Sequence, residues 1–238
     1  MHLPAYLLLG LLVLLAIYGL GLAQVLRQLR RASVRPQITQ YSGRDAIAPE
    51  HIAALEQPRA WLEAQGFQFV AWQQESELIG LPGQPLRDKP KAIYLDASQT
   101  VRCRVGLPAP RQGAAYSLSF STTLRDGSEI CTLNRAGVLP APPDYRFADR
   151  FLASDALHLA LHLQRIGGQP CVALSGYDGL LARSNLLHER VFAHWLALGL
   201  IEAHSSGWRL SWSGAIAILR LARAINHRIK RAPPMVQS

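Results

Sequence analysis

The chain has 238 residues and a formal net charge of +9 at pH 7, because 25 Lys and Arg residues outnumber 16 Asp and Glu residues. Its three cysteines are odd in number and lie far apart, which argues against a disulfide-stabilised fold and agrees with a reducing cytoplasm. The hydrophobic residues, which are 49% of the chain, are sufficient in number to form a hydrophobic core. A net positive charge of this size favours binding to an acidic partner: a membrane surface, a nucleic acid or an acidic protein.

The N-terminal segment is long, apolar and uncharged. Its Leu-rich sequence extends from Leu3 to Ala23 without a charged side chain. A helix of this length reaches about 31 Å, and the hydrocarbon core of a bilayer is about 30 Å thick. The pattern predicts a transmembrane anchor over residues 1–24. A cleaved signal peptide is the alternative, since Gly21 and Ala23 also fit a cleavage site before Gln24.

The residues after this segment predict the orientation. Four arginines follow it and none precedes it: Arg27, Arg30, Arg31 and Arg35. Because cytoplasmic flanks carry an excess of Lys and Arg, the sequence predicts a single-pass protein of the bacterial inner membrane with a cytoplasmic C-terminal domain. The same arginines are candidates for binding anionic lipid headgroups or a partner surface. Residues 25–48 are predicted to form a basic juxtamembrane linker.

The segment 49–168 is predicted to form an α+β domain. After Gly66 the sequence changes from a helical pattern to short runs in which apolar and polar residues alternate. Such alternation is typical of an antiparallel sheet with one buried and one wet face. Ser154 is a favourable N-cap for a helix over residues 155–166. We therefore expect four or five antiparallel strands with helices packed on one face.

The segment 169–238 has a helix–hairpin–helix pattern. A helix to about residue 198 is followed by two short alternating runs around a Ser-Ser-Gly turn, and a final helix extends to about Ile229. On a helical wheel the final helix has an apolar side and a basic side, which predicts a free cationic face. The basic residues assigned to membrane or partner binding are Arg220, Arg223, Lys230 and Arg231.

Two parts of the sequence resemble bacterial protein families. The Gly-Leu-Ile-Glu turn at Gly199 and the hairpin after it resemble the wing of winged-helix regulators, which implies nucleic-acid binding by Arg209, Arg220 and Arg223. A second pattern resembles uncharacterised bacterial single-pass membrane proteins, and this resemblance implies no activity. The residues that carry it are Leu62, Gly66, Phe67, Phe120, Thr122, Asp126, Gly127, Thr132 and Asn134.

Two histidines are the main candidates for catalysis. His158 and His162 are four residues apart, so both lie on one face of the predicted helix, as paired metal ligands do. A metal site needs a third ligand and an orienting shell, and the neighbouring sequence supplies neither clearly. Hydrogen-bonded structural histidines are therefore the preferred interpretation, and a metal-dependent hydrolase is the alternative. The sequence contains no nucleophile elbow, phosphate-binding loop or dinucleotide fingerprint.

Together these patterns predict a membrane-anchored cytoplasmic protein with an interaction or regulatory role, and without a catalytic site. No cofactor is expected. The expected partners are the lipid bilayer and another protein. The alternative function is nucleic-acid binding through the winged-helix-like C-terminal unit.

Overall fold

A computed structural model describes residues 5–80, 88–108, 115–134, 140–174, 176–205 and 207–229, with the side chains of the two terminal helices described from residue 13 and up to residue 227. The elements in chain order are α1 (Ala5–Arg30), β1 (Ser33–Val34), β2 (Thr39–Ser42), α2 (Pro49–Glu56), α3 (Arg59–Ala64), β3 (Phe67–Ser76), β4 (Ile79–Gly80), β5 (Asp88–Asp96), β6 (Arg102–Gly106), β7 (Ser117–Thr123), β8 (Glu129–Leu133), β9 (Tyr145–Asp149), α4 (Asp155–Ile166), α5 (Gly176–Ala197), β10 (Ile201–His204), β11 (Gly207–Leu210) and α6 (Trp212–Ile229).

The larger of two sheets has seven strands in the order β2-β3-β5-β6-β7-β8-β9. All neighbours are antiparallel except β8 and β9, which are parallel. The predicted α+β class is confirmed, although the sheet has more strands than expected. The two edge strands were missed because neither β2 nor β9 shows a clear apolar alternation.

One face of this sheet packs on α2, α3 and α4 and forms the main apolar core. Tyr94, Cys103, Phe120 and Ile130 each contribute a side chain to it from neighbouring strands, and all four are at most 1% exposed. Successive residues of a strand point to opposite faces, so the alternation seen in the sequence selects these residues for one face. The turn between β7 and β8 has Gly127 at a φ of 82°, a conformation that glycine adopts without strain.

The helix α4 has the predicted bounds and the predicted N-cap. The Ser154 side chain accepts a hydrogen bond from the backbone N–H of Leu157, which satisfies one free donor of the first turn. Gly167 ends the helix in the left-handed conformation with a φ of 55°. The N-cap and the apolar period are local signals, which is why the sequence predicted this element correctly.

The helix α5 covers the opposite face of the large sheet. The expectation that helices lie on one face only is therefore wrong. The helix also begins at Gly176 and has Gly179 in its first turn. A glycine inside a helix costs about 1 kcal/mol relative to alanine. Burial of Leu180 against Ile93 and Leu95 offsets that cost.

The smaller sheet joins segments that are distant in the sequence. Its strand order is β10-β11-β1-β4, and its core is completed by the ends of α1 and α5 and by α6. Trp195 and Leu210 are fully buried in this second core. At Gly214 a Cβ atom would lie 2.0 Å from the carbonyl oxygen of Leu200, so only glycine allows α6 to approach the hairpin this closely.

The N-terminal helix differs from the predicted transmembrane anchor. It is continuous to Arg30, but its last two turns carry two glutamines and two arginines. No helix among the described residues is long and apolar enough to cross a membrane. The predicted anchor over residues 1–24 and the inner-membrane location derived from it are therefore wrong.

Candidate functional site

Most of the arginines singled out in the sequence lie on one unit of the fold. We call the arginine-rich unit the end of α1 through Arg35, the β10–β11 hairpin and α6. The first and last of these segments are distant in the sequence, but β1 pairs with β11, and α6 packs against α1. The exposed arginines of the unit are Arg27, Arg31, Arg35, Arg220 and Arg223. Lys230 and Arg231, assigned to the same surface, lie outside the described residues.

Arg30 and Arg209, the other two arginines of the unit whose side chains the structure describes, share one carboxylate. Arg30 Nη2 lies 2.6 Å and Arg209 Nε 2.8 Å from Oε1 of Glu202. Hydrogen bonds from these two arginines hold the pKa of Glu202 below its usual range. Glu202 is the single acidic side chain in the described parts of 13–35 and 201–227, against seven arginines. Since Glu202 already binds two of them, the exposed arginines have no acidic neighbour within the unit.

Contacts between the helices fix parts of this surface. Arg223 Nη2 donates a hydrogen bond to the Tyr18 hydroxyl at 2.9 Å, which ties α6 to α1. The Arg30 guanidinium lies over the Trp212 ring, 4.6 Å from its centroid. These contacts place Arg223 and Arg30 at defined positions.

The three arginines predicted to contact nucleic acid have different surroundings in the structure. Arg209 is tied to Glu202, while Arg220 and Arg223 project from α6. In a winged-helix protein, the helix before the hairpin is the one expected to enter the major groove. Here that helix is α5, whose exposed face carries Leu186 and Glu189. Its two arginines turn instead toward Glu129 and Asp144 near the large sheet.

The two candidate metal ligands have structural hydrogen bonds. Both ring nitrogens of His162 contact threonine hydroxyls, Thr122 Oγ1 at 3.0 Å and Thr132 Oγ1 at 3.1 Å. Burial lowers the pKa of His162 to about 3, so the ring is neutral at pH 7. The ring nitrogens of His158 lie 2.9 and 2.8 Å from the carbonyl oxygens of Ser154 and Arg150. The part of the chain that the structure describes has no group of three potential metal-ligating side chains.

A second cluster, which the sequence analysis missed, lies between the large sheet and α5. We call these side chains the polar layer. Arg102 is 1% exposed and donates from Nε to Ser121 Oγ at 3.1 Å and from Nη1 to Ser184 Oγ at 3.0 Å. Its Nη2 lies 3.4 Å from Oε1 of Glu129, while Arg183 Nη2 lies 3.1 Å from Oε2 of the same carboxylate. Glu129 is therefore held between two guanidinium groups.

The other half of the polar layer is centred on Glu75. The Lys91 ammonium lies 2.5 Å from Oε2 of this carboxylate, with His188 at 3.7 Å and Arg104 at 3.8 Å. Burial by itself raises the pKa of Glu75, but the positive charges of Lys91 and Arg104 hold it well below its usual range. Burial lowers the pKa of His188 to about 4 despite the nearby Glu75, so the ring is neutral at pH 7.

The sequence contained a signal for this layer. Two arginines alternate with apolar residues on β6, and serines alternate with apolar residues on β7. The pattern was assigned to a wet face, because alternation identifies a polar face without saying what covers it.

Comparisons with known proteins leave both clusters unassigned. The chain matches no protein-family model, no curated protein and no solved structure. The resemblances to winged-helix regulators and to bacterial single-pass proteins therefore remain predictions. Function has to be argued from the geometry.

Proposed function

We propose that the protein is a non-catalytic interaction module that binds an acidic surface of another protein through its arginine-rich unit. The observation that carries the proposal is the charge of the unit, in which Glu202 is the single described acid against seven arginines. Complementary potentials guide such surfaces together and determine which partners are rejected.

Arginine is better suited than lysine to binding carboxylates on a partner surface. Its planar guanidinium can donate two parallel hydrogen bonds to one carboxylate, and it loses less freedom per bond than a lysine does. The contacts of Arg30 and Arg223 support preorganisation of the surface, which lowers the entropic cost of binding.

Nucleic acid is the alternative partner, since phosphates also attract exposed arginines. The exposed face of α5 argues against it. A helix placed to enter a groove would carry basic or amide side chains, whereas this face presents Leu186 and Glu189. Binding to an acidic protein surface does not need basic or amide side chains on the exposed face of α5.

Fluorescence anisotropy with two labelled probes tests the proposal on the full chain. The probes are a poly-glutamate peptide and a duplex DNA, each titrated at about 50 mM and about 150 mM salt, where screening differs. We expect binding of the peptide, weakened by salt. The double variant Arg220→Glu and Arg223→Glu should weaken it at least about tenfold.

Arg125→Glu is the matched control, because Arg125 is an exposed arginine in the β7–β8 turn, outside the arginine-rich unit. It should change peptide affinity by less than about twofold. Absence of peptide binding at the lower salt concentration would contradict the proposal. Tighter binding of DNA, lost in the double variant, would favour the nucleic-acid alternative instead.

A further inference from the structure

The strand β3 has a free edge over its first residues. On one side it pairs with β5 from end to end, but on the other side β2 pairs with it only from Trp72 to Glu75. The chain leaves β2 after Ser42 and enters a short helical turn. No described strand therefore covers residues 67–70 on that side. Unpaired backbone groups at a sheet edge are a template for another extended segment.

The hydrogen bonds of β5 show which backbone groups of this segment point outward. The backbone N–H of Asp96 donates to the residue before β6, so the backbone groups of the preceding Leu95 point the other way, toward β3. Leu95 is the register partner of Gln68. Because backbone groups alternate in direction along a strand, Gln68 is bonded to β5, while Phe67 and Phe69 direct their N–H and C=O groups to the open edge. Apart from the sheet pairing, no described residue is hydrogen-bonded to these groups.

A cavity of about 440 Å³ lies beside this edge, so a ligand has room there. Its lining comes from the short helix α3 and from the start of β3. The register of β3 shifts between Phe69 and Ala71, and such a β-bulge bends and twists the strand. The open edge is therefore limited to about four residues, or about 13 Å at about 3.3 Å per residue. An extended peptide of about five residues is long enough to pair with it.

The guanidinium of Arg59 gives this cavity a preference for acidic groups. It lies 5.9 Å from the centroid of the Phe69 ring, and its Nε donates to Glu63 Oε1 at 2.8 Å. Its two Nη groups have no acceptor among the described residues. On an added strand, the residue opposite Phe69 would have its Cβ about 5 Å from that of Phe69 and on the same face. A carboxylate at that position can accept hydrogen bonds from the Nη groups of Arg59.

We propose that the free edge of β3 binds an extended acidic segment of a partner protein as an added antiparallel strand, with a carboxylate side chain opposite Phe69 and bonded to Arg59. Phe67 and Phe69 would each exchange two backbone hydrogen bonds with the residue opposite, as antiparallel pairs do. These bonds supply affinity, and Arg59 supplies selectivity. The edge belongs to the large sheet and not to the arginine-rich unit, so this inference does not depend on the proposed function.

Charge complementarity favours a partner segment over a second copy of this chain. Two copies paired through this edge would face each other with residues 67–70, whose sequence is Phe-Gln-Phe-Val. That segment has no carboxylate to place opposite Phe69, and the nearby Glu63 is already bonded to its own Arg59. An acidic segment of another protein satisfies both the backbone groups and the guanidinium.

Isothermal titration calorimetry of the full chain with the capped peptide Thr-Glu-Val-Thr-Val tests the site at about 150 mM salt, where long-range attraction between charges is screened. We expect saturable binding of one peptide per chain. Replacing the peptide glutamate by glutamine should weaken binding about tenfold. Arg59→Gln should weaken binding of the glutamate peptide by the same factor and leave affinity for the glutamine peptide within about twofold. Arg125→Gln, an exposed arginine outside this cavity, should bind both peptides like the unaltered protein.

Two singly N-methylated peptides test the backbone pairing. Methylation of the glutamate nitrogen removes an N–H that faces Phe69, so it should weaken binding at least about tenfold. Methylation of the following valine alters an N–H that points away from β3 and should change affinity by less than about twofold. Equal effects of the two methylations, or absence of saturable peptide binding, would overturn the proposal.

Sedimentation velocity of the full chain tests a second copy as the occupant of the edge. A monomer at the concentrations used for calorimetry supports the proposal. A dimer that the glutamate peptide dissociates would assign the edge to self-association and overturn it.

Discussion

The two faces of the large sheet have the same alternating sequence pattern but opposite chemistry. On the α4 face, Phe120 lies in an apolar core, and the His162 ring is held by two threonines. On the α5 face, Arg102 and Glu129 are equally buried but charged. Burial is therefore similar on the two faces, while the stabilising interactions differ. The first face relies on removal of apolar surface from water, and the second on ion pairs between desolvated charges.

The largest expected effect comes from truncation on the α4 face. Phe120→Ala removes a fully buried ring that packs 5.8 Å from the ring of Phe67, so it should lower the free energy of unfolding by about 3–5 kcal/mol. Urea denaturation followed by circular dichroism measures the change. Phe147→Ala is the control on the other face, since that ring is 40% exposed, and it should cost about 1 kcal/mol or less. Equal losses in the two variants would remove the proposed difference between the faces.

A charge deletion tests the α5 face. Glu129→Gln leaves Arg102 and Arg183 without their shared carboxylate, so we expect a loss of about 3 kcal/mol in the free energy of unfolding. The same substitution at Glu63, whose ion pair with Arg59 is exposed, should cost less than about 0.5 kcal/mol. Urea denaturation of both variants at low and high salt provides the comparison. A loss at Glu129 no larger than that at Glu63 would show that the polar layer is hydrated rather than dry.

The pH dependence of stability gives the smallest and most specific test. The folded-state pKa of His162 is lowered from 6.5 to about 3, and that of His188 to about 4. Below pH 6.5 the unfolded chain therefore binds protons that the folded chain does not. Stability contributed by these neutral rings is present above pH 6.5 and is lost as the pH falls, by about 2 kcal/mol per histidine at pH 5.

His162→Gln should accordingly reduce the loss of unfolding free energy between pH 7 and pH 5 by about 2 kcal/mol, measured by urea denaturation at each pH. His188→Gln should have a similar effect over that range, but its contribution should stop growing near pH 4, whereas that of His162 continues toward pH 3. A pH dependence unchanged in His162→Gln would show that its ring is accessible to protons in the folded state.

Sequence analysis predicted local elements well and the functional clusters poorly. The helix α4 was predicted correctly because its N-cap and its apolar period are encoded within a few residues. The two-residue strands β1 and β4 were not predicted, since strands this short exist only through pairing with a partner. The transmembrane prediction failed because it rested on apolar length alone.

What the sequence determined by itself was the identity of the side chains on each face, the ends of the capped helix and the excess of arginine. The tertiary structure decided what covers each face. It placed α5 over Arg102 and Arg104, so that a face expected to be wet became a buried charged layer, and it paired Ser33 with Arg209 of the β10–β11 hairpin. The physical reason is that strand alternation and helix periodicity are local, whereas burial of a charge depends on which distant segment packs against it.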